Sequence, residues 1–371
     1  MSNMNIPQVN HRQLHTILDV SYAQKLPIFV HGTFGIGKSY TIREWAKNKA
    51  KEMNLTFSES VTDINNEKAF LCLVIPLHQY DSAEIKGIPV KSADGKSTEF
   101  LPTSMLPRTG QGILFFDELN LAPPMIQANA YQLIHDRRLG NYVLPDGFLS
   151  YGAGNTDSDM AHVFSMANPL KNRFGHAELM LPSVERWNKD FAIQNGVDNR
   201  IIAFLSSREQ YLMSYNSDAT DEQTAIATPR TWEMMSRAIK GIENTDETML
   251  EIFTGMFVGK GIAREFMAHI RLIESYNIAD IMKGGEFKVP TEIDKIYAFV
   301  SGIVSYYLKH FKEKDYSKIF YDVSSKFPAE YSTMAMYIVS RTDTQFFLTL
   351  EKAIGKKDMG VITKRILSMS N

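Results

Sequence analysis

Short apolar runs alternate with amphipathic helical patterns through the first half of the chain. Five runs have the length and composition of buried strands, near 28–31, 70–75, 113–116, 149–153 and 177–181. Helical periodicity lies between them, near 39–53 and 125–138. This alternation predicts an α/β fold in which a parallel sheet is covered by helices.

Two hairpin patterns interrupt the alternation. The first, about 87–101, is centred on an Asp-Gly turn between two extended segments. The second, about 140–149, carries a Pro-Asp-Gly turn ahead of the strand that begins at Phe148. Hairpins of this kind either contact a partner or are plain surface features. Tyr142 and Phe148 are the residues we select for a partner contact.

From about residue 184 onward the pattern is helical. Thr228 stands before a proline and predicts the N-terminus of one helix, and Thr291 predicts that of a longer one. The stretch 215–228 is rich in Ser, Asp and Thr, which is typical of a linker.

The distribution of proline indicates a boundary between two regions. Of the 14 prolines, eleven lie at or before Pro182. We therefore predict an α/β domain over 1–183 that carries both hairpins. Two helical segments follow it, over 184–242 and 243–371.

The composition is that of a globular protein without a dominant charge. Hydrophobic residues make up 44% and charged residues 22%, and the formal net charge is -2. Such a balance does not indicate duplex nucleic acid as the main partner, although a local basic patch is compatible with it. The single Cys72 excludes an internal disulfide, and its apolar neighbours predict a buried structural thiol. His11 and His15 have no third ligand nearby, so a surface pair is favoured over a zinc site.

The N-terminal residues lack the basic start and apolar stretch of a signal peptide. No apolar run is long enough to span a bilayer. We therefore expect a cytoplasmic location and no membrane partner.

The sequence GTFGIGKS, after the first apolar run, matches G-x-x-x-x-G-K-[ST] at every fixed position. Glycines let successive backbone N–H groups point at one anion. Lys38 supplies charge for the β- and γ-phosphates, and Ser39 offers a hydroxyl to Mg²⁺. A glycine-rich turn that only caps a helix needs neither side chain, so we predict nucleoside triphosphate binding. The predicted binding residues are Gly32, Thr33, Phe34, Gly35, Ile36, Gly37, Lys38, Ser39 and Tyr40.

A second motif, ILFFDEL, places two carboxylates after four apolar residues. A strand buried on both faces delivers them at its carboxyl end, where ligands gather in an open α/β sheet. Asp117 is predicted to hold Mg²⁺ together with Ser39, and Glu118 to polarise the attacking water. A solvated Asp-Glu pair at a strand end is the alternative, which the phosphate loop about 80 residues earlier disfavours.

With these two motifs the chain resembles an AAA+ ATPase, and within that group the MoxR-type branch with its NorQ- and CbbQ-like relatives. The resemblance covers roughly residues 8–242. It rests on the two motifs, on APPMIQANAYQLIHDRRLG after the second, and on YGAGNT, NPLKNRF and TPRTWE in this order. It implies a P-loop AAA+ parallel sheet with helices on both faces, an all-α lid over 184–242 and a helical extension over 243–371.

The resemblance also implies roles for three further side chains. Asn155 resembles the sensor-1 residue that orients the hydrolytic water, the alternative being an ordinary loop asparagine. Arg173 resembles the arginine finger that reaches a neighbouring subunit's ATP, the alternative being a surface salt bridge. Arg230 resembles the sensor-2 arginine of the lid, acting either within its subunit or on a neighbour. Rival fingers are Arg137, Arg138 and Arg186.

The function implied is that of a ring-forming motor, expected to be a hexamer, which hydrolyses ATP with Mg²⁺ at subunit interfaces. It would remodel a protein client or act with a von Willebrand A-type partner. Two alternatives stay open. One is a nucleic-acid-directed ATPase, such as a helicase, loader or packaging accessory; the other is a nucleotide-gated scaffold with little turnover.

Overall fold

A computed structural model describes residues 6–61, 66–155, 164–215 and 224–370 of the chain. The chain divides into two compact units, Met1–Leu181 and Pro182–Asn371. Each unit has its own hydrophobic core.

The first unit is built on a parallel sheet. Within the described residues its strands are β1 (Gln8–Val9), β2 (Ile28–His31), β3 (Thr56–Ser58), β4 (Ala69–Val74), β5 (Ile88–Lys91), β6 (Thr98–Leu101), β7 (Gln111–Phe116), β8 (Arg138–Leu139), β9 (Tyr142–Val143), β10 (Gly147–Gly154) and β11 (Gly175–Leu179). The main sheet has seven of these strands in the order β1-β11-β2-β10-β7-β4-β3. Every neighbouring pair in it is parallel.

Helices cover both faces of this sheet. They are α1 (His11–Ala23), α2 (Lys38–Glu52), α3 (Ser82–Lys86), α4 (Pro124–His135) and α5 (Asn168–Lys171). Successive residues of a strand point to opposite faces, so Leu114 and Phe116 of β7 join one core while Ile113 and Phe115 join the other. Burial on both faces explains why these strands are continuously apolar in the sequence.

The second unit is helical. Its helices among the described residues are α6 (Val184–Trp187), α7 (Asn199–Ser207), α8 (Pro229–Ala238), α9 (Glu247–Val258), α10 (Lys260–Glu274), α11 (Ile278–Ile281), α12 (Ile293–His310), α13 (Ser317–Ser324), α14 (Ala329–Thr342), α15 (Phe346–Ile354) and α16 (Lys356–Ser370), with a π-helical turn over Asn188–Ala192. A single hydrophobic core contains residues of both predicted helical segments, for example Trp232 of the first and Phe346 of the second. The parallel sheet with helices on both faces and the helical region after it confirm the predicted α/β fold class.

Most predicted element boundaries are confirmed within a few residues. Thr228 is the N-cap of α8 and accepts a hydrogen bond from the backbone N–H of Thr231 at 3.1 Å. The long helix predicted from Thr291 begins at Ile293. Of the predicted linker, residues 216–223 lie outside the described residues. Among the described residues, no helix combines the length and apolar character needed to cross a bilayer.

Both predicted hairpins are present, but the second differs in detail. In the first, β5 pairs antiparallel with β6 around a turn that contains Gly95. In the second, β8 pairs with β9 and the turn falls at 140–141, before the Pro-Asp-Gly sequence. Tyr142 is buried and its hydroxyl donates to the Pro107 carbonyl at 2.7 Å, while Phe148 is a buried residue of β10. The selection of these two side chains for a partner contact is therefore wrong.

A buried histidine makes the helical unit sensitive to acid. His269 of α10 is 1% exposed, and neither ring nitrogen has a hydrogen-bond partner among the described residues. Burial, and secondarily the charge of Arg208, lowers the pKa of His269 to about 4. Because its unfolded pKa is near the ordinary 6.5, unfolding takes up a proton at any pH between these values.

We expect the lowered pKa of His269 to reduce the free energy of unfolding of the helical unit by about 3 kcal/mol as the pH falls from 6.5 to 4. Above pH 6.5 the residue is neutral in both states and has no such effect. His269→Leu should remove most of this fall, which urea unfolding at pH 7 and pH 4.5 measures. His310→Gln, at a partly exposed histidine of α12, is the control and should keep the wild-type fall. An unchanged pH dependence in His269→Leu would contradict the assignment.

Candidate functional site

The phosphate-loop sequence lies between β2 and α2, at the carboxyl edge of the sheet. Gly37 has φ 100° and occupies the N-cap of α2 in the left-handed region, where a side chain is strained. At Gly32, a Cβ atom would lie 2.9 Å from the Leu179 carbonyl oxygen. The two glycines therefore allow a tight turn against β11, and the turn leads directly into the N-terminus of a helix, where anions bind.

Lys38 is buried within this loop. Its Nζ donates to the carbonyl oxygens of Gly32 at 2.5 Å and Thr33 at 2.9 Å. It also donates to Oδ1 of Asn155 at 3.0 Å. The ammonium group thus lies between the loop and the end of β10, so the structure brings together two predicted site residues that are 117 positions apart.

Ser39 and Asp117 also meet. The Ser39 hydroxyl donates to Oδ1 of Asp117 at 2.9 Å. A hydroxyl and a carboxylate are hard oxygen ligands, and Mg²⁺ is typically bound by one or two such groups together with water and substrate phosphates. The donor set therefore fits Mg²⁺. Ser39 and Asp117 would hold the ion, which would supply positive charge opposite the β- and γ-phosphate oxygens.

Glu118 follows Asp117 in an unusual backbone conformation. Its φ of 53° and ψ of 39° lie in the left-handed region, which is sparsely populated by residues other than glycine. The side chain is 46% exposed, and its Oε2 lies 3.9 Å from Nε2 of His78. An accessible carboxylate held at the carboxyl edge of the sheet is suited to accept a proton from water.

Asn155 is anchored by a residue that the sequence analysis did not select. Buried Asn120 donates through Nδ2 to the Asn155 carbonyl oxygen at 2.9 Å. Gly154 leaves room for it, because a Cβ atom there would lie 2.3 Å from Oδ1 of Asn120. Asn120 therefore fixes the backbone of Asn155, whose side chain contacts Lys38.

Histidines support the loop from two other sides, and neither contact was predicted. His11 Nε2 lies 2.9 Å from the Ile36 carbonyl oxygen. His31 is the residue before Gly32. Its Nε2 atom lies 2.9 Å from Nδ1 of His176. His176 Nε2 donates to the Lys171 carbonyl oxygen at 2.8 Å.

Burial, followed by the charges of His176, Lys171 and Lys38, lowers the pKa of His31 to about 4. His31 is therefore neutral near pH 7. The hydrogen-bonded pair joins β2 to β11 beside the loop, so it belongs to the framework that holds the loop in place.

Arg173 lies just beyond α5, on the surface of the first unit. Its Nη2 donates to Nε2 of His135 at 3.2 Å and approaches the Tyr131 hydroxyl at 3.5 Å. Among the described residues, no carboxylate oxygen lies within 4.0 Å of its guanidinium. Within the described part of the chain, Arg173 therefore forms no surface salt bridge, which was the alternative to the arginine finger.

The rival arginines differ in their surroundings. Arg137 donates through both Nη atoms to backbone carbonyls, of Phe148 at 3.0 Å and of Pro145 at 2.7 Å, which indicates a structural role in the second hairpin. Arg138 and Arg186 are exposed.

Arg230 lies in the first turn of α8, in the helical unit, and is exposed. A cation at this end of a helix opposes the helix dipole, so helix stability gives no reason for its presence. Its predicted contact with nucleotide stays a prediction.

The site as a whole has the parts that phosphoryl transfer requires. One edge of the sheet gathers a glycine-containing loop with the buried Lys38 ammonium, the Ser39–Asp117 pair and the accessible Glu118 carboxylate.

Comparisons with known proteins give only distant similarities. Neither a protein-family model nor a curated protein matches the chain. A mutant of RuvB from Thermotoga maritima is 15% identical over 75% of this chain and 78% of that chain, with a TM-score of 0.38. The RuvB Holliday junction branch migration motor of the same organism is 16% identical, covering 83% and 76%, with a TM-score of 0.31. NtrX from Brucella abortus in complex with ATP is 13% identical, covering 99% and 70%, with a TM-score of 0.38. TM-scores below 0.5 do not establish a shared function. The functional assignment therefore rests on the residues of this chain.

Proposed function

We propose that this chain is an ATP-hydrolysing AAA+ motor of the MoxR type, which assembles into a hexameric ring and remodels or activates a protein partner. ATP would bind at the phosphate loop with Mg²⁺ at Ser39 and Asp117. Glu118 would take a proton from the attacking water.

The observation that carries this proposal is the meeting of side chains from three parts of the sheet edge. Lys38 and Ser39, which begin α2, contact Asn155 after β10 and Asp117 after β7 respectively. A structural turn needs neither contact. An ATPase needs both, because a phosphate-binding lysine, a metal site and a polar residue near the water must share one small volume.

Hydrolysis at subunit interfaces is supported by the state of Arg173. A guanidinium that lacks a carboxylate partner among the described residues retains its full charge for an anion. The Arg173 Nε atom is buried and has no acceptor among those residues. A phosphate of a neighbouring subunit's ATP would therefore bind the guanidinium at its Nη end.

A protein partner is supported by the first hairpin. Ile88 of β5 is 66% exposed and its cross-strand partner Leu101 of β6 is 61% exposed. Val90 lies two residues along on the same face and is also exposed. Adjacent apolar side chains on a projecting hairpin favour contact with protein over contact with nucleic acid. A protein client or a von Willebrand A-type partner would bind there.

The ATPase assignment predicts that Lys38→Ala reduces ATP binding and brings phosphate release to background. The alanine removes the ammonium that would contact the β- and γ-phosphates. Lys47→Ala is the matched control, since Lys47 is an exposed residue of the same helix and pairs with nearby Glu44. It should hydrolyse ATP like the wild type.

Equal phosphate release by Lys38→Ala and the wild type would contradict the ATPase assignment. Strong stimulation of wild-type turnover by DNA, lost steeply with salt, would instead favour a nucleic-acid-directed ATPase.

A further inference from the structure

Arg173 is held by helix α4. Besides the contact of its Nη2 with Nε2 of His135, the guanidinium carbon lies 5.8 Å from the centroid of the Tyr131 ring. Tyr131 and His135 are four residues apart, so they lie on the same face of the helix. The two rings themselves pack at 5.5 Å between centroids. Together they form an aromatic support beneath one arginine.

The two side chains that contact the Arg173 guanidinium are uncharged acceptors, as at Arg108 and Arg137, and the nearby Asp136 carboxylate lies 3.8 Å from His135 Nε2 rather than on the guanidinium. Carboxylates pair with Arg43, Arg200, Arg208, Arg237 and Arg271. At Arg173 the acceptors are a phenol and an imidazole. Because a guanidinium can only donate, the imidazole accepts at Nε2.

Neutral partners suit a guanidinium that must exchange its contacts. A hydrogen bond to a neutral acceptor contributes less than one to a charged acceptor, and a ring face attracts the cation without neutralising it. A carboxylate in the same place would fix the side chain and cancel the charge that a phosphate needs.

We propose that Tyr131 and His135 are positioning residues for Arg173, which orient its guanidinium while leaving its charge available to the ATP of a neighbouring subunit. This inference rests on the proposed function, because it needs a site shared between subunits. It adds two residues to that site, neither of which forms a hydrogen bond to the subunit's own phosphate loop among the described residues.

The helix that carries them also follows the second motif directly. After Glu118 the chain makes a short 3₁₀ turn over Leu119–Leu121, and α4 begins at Pro124. The support for Arg173 is therefore continuous in sequence with the carboxylates of the subunit's own site.

The test is to place a carboxylate under Arg173. His135→Glu should pair with the guanidinium and lower ATP turnover at least about tenfold, while ATP affinity stays at the wild-type value. His135→Gln keeps a neutral acceptor and should retain most of the turnover. Gln132→Glu is the matched control, because it adds the same carboxylate to an exposed position of α4 that makes no hydrogen bond to Arg173 among the described residues, and it should leave turnover unchanged.

A mixing experiment separates a positioning effect from damage to the fold. His135→Glu keeps its phosphate loop, and Lys38→Ala keeps its Arg173 and its aromatic support. Mixed assemblies of these two variants should hydrolyse more ATP than either alone, because some interfaces then combine an intact loop with an available arginine. Tyr131→Leu, which removes the ring face, gives a second variant and should lose turnover about tenfold with unchanged ATP affinity.

The outcomes distinguish this inference from the proposed function. If Arg173→Ala is inactive but His135→Glu and Tyr131→Leu turn over ATP like the wild type, the positioning role is overturned and the shared site stands. If Arg173→Ala itself is fully active, the shared site fails. Failure of the mixture to exceed its components, with ATP affinity intact in His135→Glu, would also overturn the positioning role.

Discussion

Replacing Arg173 with alanine should lower ATP hydrolysis roughly 10³–10⁵-fold while ATP binding is retained. The guanidinium would stabilise charge that develops on the γ-phosphoryl group in the transition state, and alanine removes it without touching the phosphate loop. Among the described residues, the hydrogen-bond partners of the Arg173 side chain are the Tyr131 hydroxyl and the His135 ring. Phosphate release and the affinity for a fluorescent ATP analogue measure the two properties separately.

Arg138→Ala is the control for this prediction. Arg138 is an exposed arginine of β8 and one of the rival candidates. A full loss of turnover in Arg138→Ala together with normal turnover in Arg173→Ala would move the assignment to Arg138. Loss of ATP affinity in Arg173→Ala would instead indicate a role in its own subunit.

Glu118→Gln should lower hydrolysis roughly 10²–10⁴-fold and leave ATP bound and intact. Glutamine has nearly the same size and fills the same left-handed position, but it cannot accept the proton of the attacking water. Asp117 and Ser39 are unchanged, so the metal site stays complete. Separation of the bound nucleotide after incubation shows whether ATP or ADP is present.

Glu251→Gln, at an exposed position of α9, is the matched control and should keep wild-type turnover. Turnover in Glu118→Gln equal to that of the wild type would contradict the general-base role. It would favour the scaffold alternative, in which ATP controls assembly and is hardly hydrolysed.

The fold and the centre of the site were predictable from the sequence because both depend on local patterns. A strand buried on both faces must be continuously apolar, so β2, β4 and β7 stand out. The motifs that follow β2 and β7 then lie at the same edge, because parallel strands end together. This reasoning predicts the contact between Ser39 and Asp117 before any coordinates are known.

The supporting residues were not predictable in the same way. Asn120, His11 and His176 act through single hydrogen bonds to residues that are distant in the sequence, and no motif marks them. His78 offered a weak signal, since it follows β4, a neighbour of β7 in the sheet. Side chains after adjacent parallel strands converge, and this rule would have placed it near Glu118.

The error at Tyr142 and Phe148 came from the position of a turn. The sequence pattern predicts the hairpin turn at Pro-Asp-Gly, but the chain turns earlier, at 140–141. Phe148 then belongs to a central strand, paired with Gly112 of β7. In short strands a small shift in the turn changes which side chains face the core, so the sequence pattern alone does not decide exposure.

The particle mass of Glu118→Gln, measured by light scattering with and without Mg·ATP, tests the shared site most directly. This variant should hold ATP without cleaving it, and so populate the assembled state. We expect the mass to rise from the 42.1 kDa of one chain to about six times that value when Mg·ATP is added. A particle that stays at 42.1 kDa with ATP bound would contradict hydrolysis at subunit interfaces.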